Sequence, residues 1–505
     1  MGSMFSRLFK RHYLFLIFTA LYFIIAFTTY KSYSITADEQ YRYERGREFL
    51  QIIKHKPTLT KHTQIYVDPD AYYIYPMLLN IFNPSFSYET FHLENMIFAF
   101  GTFIAFYALV YLATRNKKSS IAAVLMLYLS PTFSGHLAFN PIDISFTTFY
   151  MISLLLIYLW GEQRKMYLLV LLGITIALTQ SIRLIGLSLY VVLGMYELYT
   201  YIIKVDRQNW KLWLKENSPK YFVMLAVSTA LVASIWQLQG VNYFQQFSYQ
   251  LSVNSNFNQW DNIIWYMGRY IYKDQRPWHY LFVYLTITTP IYILVGFLMS
   301  ILSIKELVKN KIFFLIISSV LLNLVLYACI QPVIYNTLRH FSYLIPQITM
   351  AAFLFFFEFF RTKGYKITKK LLLALILINV SFVIMDIGRL FPHQYSYFNE
   401  LVGGVSHQYK NFETEYWGTS YKDAAEWIKN DYVKNTNIRP KVFSCALGYA
   451  MEYYADNKYE YTYSIGNADI VVCDNMEYTR RGYNYKVLHV IQKDAAVLNL
   501  IMSKN

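Results

Sequence analysis

The stretch "YLFLIFTALYFIIAFTTYKSYSITADEQ", residues 13–40, joins an uninterrupted apolar run to a segment that carries two adjacent carboxylates. Residues 13–30 are long enough to span a bilayer as a helix, because the hydrocarbon core of about 30 Å needs roughly 20 apolar residues. Asp38 and Glu39 therefore lie close to the membrane surface. Thr36 and Glu39 have capping-box spacing, which predicts a helix beginning at Thr36, and Asp38 is one turn from Arg42.

Similar apolar blocks recur along the chain. Of its 505 residues, 55% are hydrophobic and 15% are charged, which is typical of an α-helical polytopic membrane protein. Eleven spans are predicted, at residues 13–30, 95–114, 121–139, 144–160, 166–182, 184–202, 221–238, 279–303, 312–330, 341–360 and 371–387. In the third span, Pro131 and Gly135 predict a break near Ser130, which leaves "SGHLAFNPIDIS" as a short loop at membrane depth.

Lysine and arginine are concentrated in alternate connections between these spans. The basic connections are "RLFKRH", "RNKK", "GEQRK", "KVDRQNWKLWLKENSPK", "KELVKNK" and "RTKGYKITKK". The positive-inside rule then predicts a cytoplasmic N-terminus and places the loops 31–93 and 239–278 and residues 388–505 on the extracytoplasmic side. The net charge of +15 is explained by these connections, so it does not indicate nucleic-acid binding.

The pattern changes after residue 387, which divides the chain into a membrane domain (1–387) and a small extracytoplasmic α/β domain (388–505). In the second domain "SYKDAAEWIKNDYV" predicts a helix, "KVFSCAL", "ADIVVCDN" and "YKVLHVIQ" predict strands, and a terminal helix is expected after them. Cys445 and Cys473 fall in two of the strands. A disulfide between them and two buried free thiols are both consistent with the sequence.

Several polar residues flank the spans on the extracytoplasmic side, namely His136, Asn140, Asp143, Arg183, Arg339 and His340. Taken singly, Arg183 and Arg339 could snorkel to lipid phosphate, and Asp143 could cap the fourth span. Together with Asp38, however, they place two acids and two arginines at one membrane face. Guanidinium groups can hold a lipid phosphate that gains charge on leaving, and a carboxylate can deprotonate an attacking hydroxyl.

Three motifs, "DEQYRYERG" after the first span, "NPID" after a histidine, and "TQSIRLIGL", resemble those of GT-C fold glycosyltransferases. The similarity is greatest to the family 39-like group of protein O-mannosyltransferases and aminoarabinose transferases. The segments "PHQYSYFNELVGG" (392–404) and "YWGTSYKDAAEW" (416–427) are also similar to segments of bacterial and archaeal members. The resemblance implies a GT-C-like membrane domain, a polyprenyl- or dolichyl-phosphate sugar donor and a location in the plasma (inner) membrane.

The resemblance also implies roles for individual residues. The first acid of the family's D-E pair acts as base and corresponds to Asp38, while the acid of the second outer loop corresponds to Asp143. The expected reaction is an inverting single displacement in which Asp38 activates an acceptor hydroxyl and Asp143 orients the acceptor or shares the base role. The donor phosphate is expected to contact Arg183, Arg339 and, more weakly, His340.

Other residues are candidates for contacts with the acceptor or the sugar, namely Glu39, Tyr41, His136 and Asn140, with Glu39 serving mainly as the helix cap. Tyr41 and three tryptophans of the outer loops, Trp260, Trp265 and Trp278, could stack on sugar faces, although a structural role is the simpler explanation for each.

No metal cofactor is required if two arginines neutralise the leaving group, although paired acids could bind a divalent metal. The expected partners are a polyprenyl-phosphate sugar, an acceptor that is a glycan, lipid or protein, and the bilayer. Two alternatives use the same residues differently. One is a transporter or flippase of lipid-linked sugars; the other is a non-catalytic protein whose α/β domain binds a partner.

Overall fold

The computed structural model describes residues 2–44, 46, 87–204, 210–238, 243–255, 263–272 and 275–504. Within these residues, eight helices are long and apolar enough to cross a membrane. A small sheet region follows the last of them. The chain is therefore an α-helical polytopic membrane protein with a C-terminal α/β part, as predicted.

Most helices of the membrane part overlap the predicted apolar segments. The helices are α1 (Gly2–Thr29), α2 (Tyr88–Thr114), α3 (Lys117–Tyr128), α4 (Pro131–Ser134), α5 (Pro141–Gln163), α6 (Met166–Ile182), α7 (Ser188–Lys204), α8 (Trp210–Leu238), α9 (Tyr243–Ser255), α10 (Tyr280–Thr288), α11 (Ile291–Leu302), α12 (Ile304–Leu307), α13 (Lys311–Ile330), α14 (Leu344–Arg361) and α15 (Lys366–Leu390). Of these, α9 and α12 lie in predicted connections. A hairpin of β1 (Ile263–Tyr266) and β2 (Arg269–Tyr272) precedes α10.

Proline interrupts two of the eleven predicted spans. The predicted break near Ser130 is confirmed, since α3 ends at Tyr128 and Pro131 begins α4. The prediction of one continuous span over 279–303 is wrong, because this segment forms α10 and α11 on either side of Pro290. Proline has no amide hydrogen to donate, so the helical hydrogen-bond ladder is interrupted there.

Burial separates the helices at the centre of the bundle from those at its edge. In α5, 78% of the most apolar window is buried inside the protein, whereas in α15 the share is only 6%. An apolar helix of this length that the protein itself leaves exposed is stable when lipid covers its surface. The edge helix α15 ends at Leu390, close to the predicted domain boundary at residue 387, which stays a prediction.

The C-terminal part is built on a mixed five-stranded sheet. Its strands are β3 (Lys441–Ser444), β4 (Glu460–Tyr461), β5 (Ile470–Asp474), β6 (Lys486–Lys493) and β7 (Ala496–Ser503), in the order β4-β3-β5-β7-β6. Strand β3 is parallel to β4 and β5, and β7 is antiparallel to β5 and β6. The predicted helix is present as α17 (Ser420–Trp427), after the short α16 (Gly404–Gln408).

The prediction of a terminal helix is wrong, because residues 496–503 form the strand β7. Asp494 and Ala495 connect it to β6 with positive φ angles of 45° and 64°. Two such residues make the tight turn that matches the twist of a β-hairpin. The strand then lies between β5 and β6, where most of its side chains are buried.

The two cysteines of this domain are joined. Cys445 directly follows β3, and it forms a disulfide with Cys473 of β5. The two strands are parallel neighbours, and the Cα atoms are 4.9 Å apart. The structure therefore selects the disulfide over the two free thiols.

Candidate active site

The predicted pairing of Thr36 with Glu39 is present, but the helix begins at Glu39 and not at Thr36. Glu39 Oε2 accepts a hydrogen bond from the Thr36 amide at 2.7 Å, and Oε1 lies 2.8 Å from Nε2 of His92. Residues 39–44 are helical. Glu39 is fully buried, so it fixes the turn that carries Asp38, and its assignment to acceptor contacts stays a prediction.

The C-terminal domain holds the segment before Asp38 through main-chain contacts. The amide of Ile35 donates to the Tyr454 hydroxyl at 3.0 Å, and the amide of Ala37 donates to the Trp417 carbonyl at 3.1 Å. The Tyr449 hydroxyl donates to the Thr36 carbonyl. Because these contacts precede Asp38 directly, the domain sets the position of its carboxylate.

Asp38 forms an ion pair with Arg339 from a distant segment. Nη1 of Arg339 lies 3.0 Å from Oδ2 of Asp38. The guanidinium carbon is 4.8 Å from the ring centre of Tyr335 and 4.7 Å from that of Trp417, within range of cation–π attraction. Burial alone raises the pKa of Asp38, but Arg339 and then Arg42 more than offset it, so the pKa lies below its ordinary value and the group is ionised at neutral pH.

A second ion pair joins Asp143 to Arg183. Oδ1 of Asp143 accepts from Nε and Nη2 of Arg183 at 3.0 and 2.6 Å. Asn140 caps α5 by accepting from the Asp143 amide, and its Nδ2 donates to Oδ2 of the same carboxylate at 2.9 Å. Asp143 begins α5 and Arg183 ends α6, so both lie at the same end of the bundle.

The two ion pairs lie within electrostatic reach of each other. Arg183 contributes to lowering the pKa of Asp38, and Asp143 contributes to raising the pKa of Arg339. Four side chains that sequence analysis selected from four separate segments thus converge at one place. Their roles in chemistry stay predictions.

An apolar cavity of about 440 Å³ opens beside this cluster. Arg183 and His340 lie in its wall, and the remaining walls come mainly from apolar side chains of the α6–α7 connection and the end of α13. Burial, and then the charges of Arg183 and Arg339, hold the pKa of His340 well below its usual range, so the imidazole is neutral. Within the described part of the chain, Nε2 of His340 and Nε of Arg339 have no hydrogen-bond partner.

The remaining candidates lie in different settings. His136 is buried, with its ring nitrogens 2.5 Å from the Thr132 carbonyl oxygen and 3.3 Å from the Tyr416 hydroxyl. Tyr41 is exposed, as is Trp278. Trp265 lines a second cavity, and Trp260 lies outside the described residues.

Sequence analysis missed three residues that build the site. Tyr335 and Trp417 hold the Arg339 guanidinium, and Tyr449 anchors Thr36. Trp417 falls in the segment "YWGTSYKDAAEW", whose similarity to family segments was noted without a role. No spacing rule links any of the three to Asp38, because the contacts arise from the fold.

Metal binding was left open by the sequence. Across the residues that the structure describes, no three His, Cys, Asp or Glu side chains are grouped so that they could hold a metal ion. Asp38 and Asp143 are instead each paired with an arginine. Independence from metal stays a prediction.

The fold is similar to that of two solved structures of ArnT from Cupriavidus metallidurans. The structure bound to undecaprenyl phosphate has a TM-score of 0.55 and 10% identity, covering 96% of this chain and 97% of that one. The apo structure has a TM-score of 0.52 and 11% identity with the same coverage. A third structure is that of the archaeal oligosaccharyltransferase AglB from Archaeoglobus fulgidus in complex with an inhibitory peptide and a dolichol-phosphate. Its TM-score is 0.45 and its sequence identity 13%, covering 93% of this chain and 70% of that one. No protein-family profile and no curated protein sequence matches the chain.

These similarities concern the fold. ArnT has the GT-C fold of membrane glycosyltransferases, and the likeness to it extends over nearly the whole of both chains. The chain therefore has the GT-C fold, as the motifs predicted.

Proposed function

We propose that the protein is a membrane glycosyltransferase that moves a sugar from a polyprenyl-phosphate donor to an acceptor hydroxyl. The observation that carries this proposal is the convergence of Asp38, Asp143, Arg183 and Arg339 beside an apolar cavity. The ArnT structure with undecaprenyl phosphate supports the kind of donor, since it shares the fold.

The donor would bind in the 440 Å³ cavity. Its phosphate would contact Arg183 and His340 at the polar end, and its isoprenoid chain would follow the apolar walls. Arg339, next to His340 in the sequence, adds an Nε that has no hydrogen-bond partner among the residues the structure describes. Guanidinium groups suit this task because they are always charged and can hold two phosphate oxygens at once.

The reaction would be a single displacement at the anomeric carbon. Asp38 takes the proton of the acceptor hydroxyl as its oxygen bonds to that carbon. The bond from the anomeric carbon to the phosphate oxygen breaks on the opposite side, and its electron pair leaves with the polyprenyl phosphate. Arg183 and Arg339 stabilise the charge that this phosphate gains, and the configuration of the sugar inverts.

Asp143 would act mainly by orienting Arg183, because one carboxylate oxygen accepts two hydrogen bonds from that guanidinium. Asn140 fixes the other oxygen at 2.9 Å, so the carboxylate cannot turn freely. Of the two roles expected for Asp143, orienting a binding partner and sharing the base role, the contacts therefore favour the first.

The site is proposed to face the extracytoplasmic side of the plasma (inner) membrane. The basic connections favour a cytoplasmic N-terminus under the positive-inside rule. The Cys445–Cys473 disulfide supports the same orientation, because disulfides persist in oxidising compartments. The orientation can be tested in intact cells with a cysteine introduced into α17 of a variant in which Cys329 is replaced by serine. An impermeant maleimide should label this cysteine if the C-terminal domain is extracytoplasmic.

The deciding experiment uses purified protein in liposomes with radiolabelled undecaprenyl-phosphate sugars and a panel of glycan, lipid and peptide acceptors. Wild type should transfer the label with inversion, and Asp38→Asn should not. Labelled donor that crosses the bilayer without product would favour the flippase instead. Retention of anomeric configuration would overturn the single displacement. Repeating the assay with a chelator would test whether transfer requires a divalent metal.

A further inference from the structure

A second cavity, of about 550 Å³, adjoins the Asp38 segment, since Ala37 lies in its wall. Three further helices follow α17, namely α18 (Lys434–Thr436), α19 (Gly448–Tyr453) and α20 (Asn475–Arg481). The walls of the cavity come mainly from the hairpin β1–β2, residues 409–418 and the start of α20. Such a volume is in the range of small-molecule sites. The proposed reaction assigns this cavity no role.

Four carboxylates line the cavity, and three of them are occupied by protein groups. Glu415 accepts from the Tyr395 hydroxyl and the Ser420 amide, Asp474 accepts from the Tyr421 hydroxyl and the Glu477 amide, and Glu477 binds Arg480 and Arg481. These three carboxylates have structural roles that explain their presence.

Glu413 also accepts hydrogen bonds from the amides of Trp265 and Thr337, but it differs from the other three carboxylates at one oxygen. Its side chain is 94% buried, being only 6% exposed, and Oε2 has no hydrogen-bond partner among the described residues. The indole nitrogen of Trp417, also in the cavity wall, is buried and likewise has no partner in the described ranges of the chain. A buried polar group left unpaired destabilises the folded state. Two such groups in one wall, an acceptor and a donor, indicate that a ligand completes them.

The rest of the wall suits a sugar ring. Trp265 and Tyr270 from the hairpin, Tyr416 from the opposite segment and Tyr421 from α17 present aromatic surface to the cavity. A pyranose has an apolar C–H face that packs on such rings, and hydroxyls at its rim that need donors and acceptors. Carboxylates in the wall disfavour an anionic ligand, and their density disfavours an acyl chain.

We propose that this cavity binds the acceptor, that the acceptor is a neutral, hydroxyl-rich sugar, and that Glu413 positions it by forming a hydrogen bond with one of its hydroxyls. The inference rests on the proposed glycosyl transfer and specifies its second substrate. Of the three acceptor classes left open by the sequence, it selects the glycan.

The position of the cavity relative to Asp38 supports this role. Ala37, the residue next to Asp38, lines the cavity. Trp417 lines it too, and its ring packs on the guanidinium of Arg339, which pairs with Asp38 at 3.0 Å. A sugar seated there therefore lies beside the base, while the 440 Å³ cavity holds Arg183 for the donor. The two substrates would approach the same carboxylate from different cavities.

The test measures binding of each substrate separately, with full-length protein in detergent. Methyl glycosides and linear disaccharides are titrated without donor, and tryptophan fluorescence is recorded. Undecaprenyl phosphate is titrated in parallel. Glu413→Leu removes both carboxyl oxygens at similar volume, so it should weaken glycoside binding at least tenfold and leave undecaprenyl phosphate binding within twofold. Glu426→Leu, at an exposed carboxylate of α17, is the control and should change neither.

A second variant covers the case in which Glu413→Leu does not fold. Trp265→Ala removes one aromatic wall and should also weaken glycoside binding. Equal glycoside affinities in wild type and both variants, no glycoside binding to wild type, or fluorescence changes with an acceptor peptide alone would overturn the inference. If wild type does not bind undecaprenyl phosphate at all, that result would instead contradict the proposed function.

Discussion

Asp38 and Arg339 lie 301 positions apart in the sequence, and their side chains meet at 3.0 Å. Each is placed by a different part of the protein. The C-terminal domain anchors the segment before Asp38, and two aromatic rings hold Arg339. The ion pair is therefore a property of the assembled fold, and both partners can be tested separately.

The first prediction concerns the base. Asp38→Asn keeps the shape of the side chain but cannot accept a proton, so transfer should fall about 10²–10⁴-fold with little change in donor binding. Glu44→Gln is the matched control, because Glu44 lies on the same short helical segment and is exposed. Its activity should equal that of wild type. Initial rates with radiolabelled donor measure both, and full activity in Asp38→Asn would remove this residue from the base role.

The second prediction concerns how the C-terminal domain positions Asp38. Tyr449→Phe removes the hydroxyl that donates to the Thr36 carbonyl. Loss of one such hydrogen bond costs about 1 kcal/mol, so kcat should fall roughly fivefold while undecaprenyl phosphate affinity is unchanged. Tyr453→Phe removes an exposed hydroxyl of the same helix and should have no effect on kcat. An equal loss in both variants would indicate general destabilisation instead.

The third prediction concerns the donor phosphate. Arg183→Lys keeps the positive charge but loses the two donors that converge on Oδ1 of Asp143 and orient the side chain, so the affinity for undecaprenyl phosphate should fall by roughly tenfold. Arg183→Ala should weaken it further. Arg361→Ala, at an exposed arginine at the end of α14, serves as control. Equilibrium binding of labelled lipid measures all three, and unchanged affinity in Arg183→Ala would exclude the proposed phosphate site.

The sequence predicted the membrane helices well because the signal for a span is local. Length and apolarity of one segment are sufficient to identify α2 or α13. The errors arose where other constraints decided the outcome. Pro290 divided one predicted span, and β7 was mistaken for a helix because a short apolar run does not distinguish a helix from a buried strand.

The candidate site was predictable in its charged residues, since charges beside spans are costly and stand out in an apolar sequence. Its supporting residues were not. Trp417 and Tyr449 are ordinary aromatic residues in a chain with 49 tyrosines and 9 tryptophans. Glu413 likewise gives no local signal, because its burial, and the lack of a described partner for its Oε2, depend on packing between the hairpin and the C-terminal domain.

The fourth prediction concerns the disulfide. Cys445 and Cys473 are separated by 28 positions, and closing a loop of this length stabilises a domain by about 3–4 kcal/mol in the chain-entropy treatment. The double variant Cys445→Ser/Cys473→Ser should therefore lower the unfolding temperature of the C-terminal domain. Cys329→Ser, at an exposed cysteine of α13, should not. Limited proteolysis during heating measures this, and equal unfolding temperatures would contradict a stabilising disulfide.

The fifth prediction follows from the environment of Glu413. Burial raises the pKa of Glu413 to about 8, against an ordinary value of 4.5, while Arg339 and hydrogen bonds from the amides of Trp265 and Thr337 partly lower it. The folded protein thus keeps this proton over a range in which the unfolded chain has lost it. The resulting stability is fully present below pH 4.5 and is lost as the pH rises through about 8.

Glu413→Gln cannot titrate, so it should not show this loss. The unfolding temperature of wild type, relative to that of the variant, should fall steadily between pH 5 and pH 8. The other charged groups that face Glu413, Arg339 and Asp474, are present in both proteins, so their titration cancels in the difference. Thermal unfolding in detergent at four pH values measures it. Parallel curves would show that Glu413 is ionised in the folded protein, and an increasing relative stability of wild type would show that a cation pairs with it.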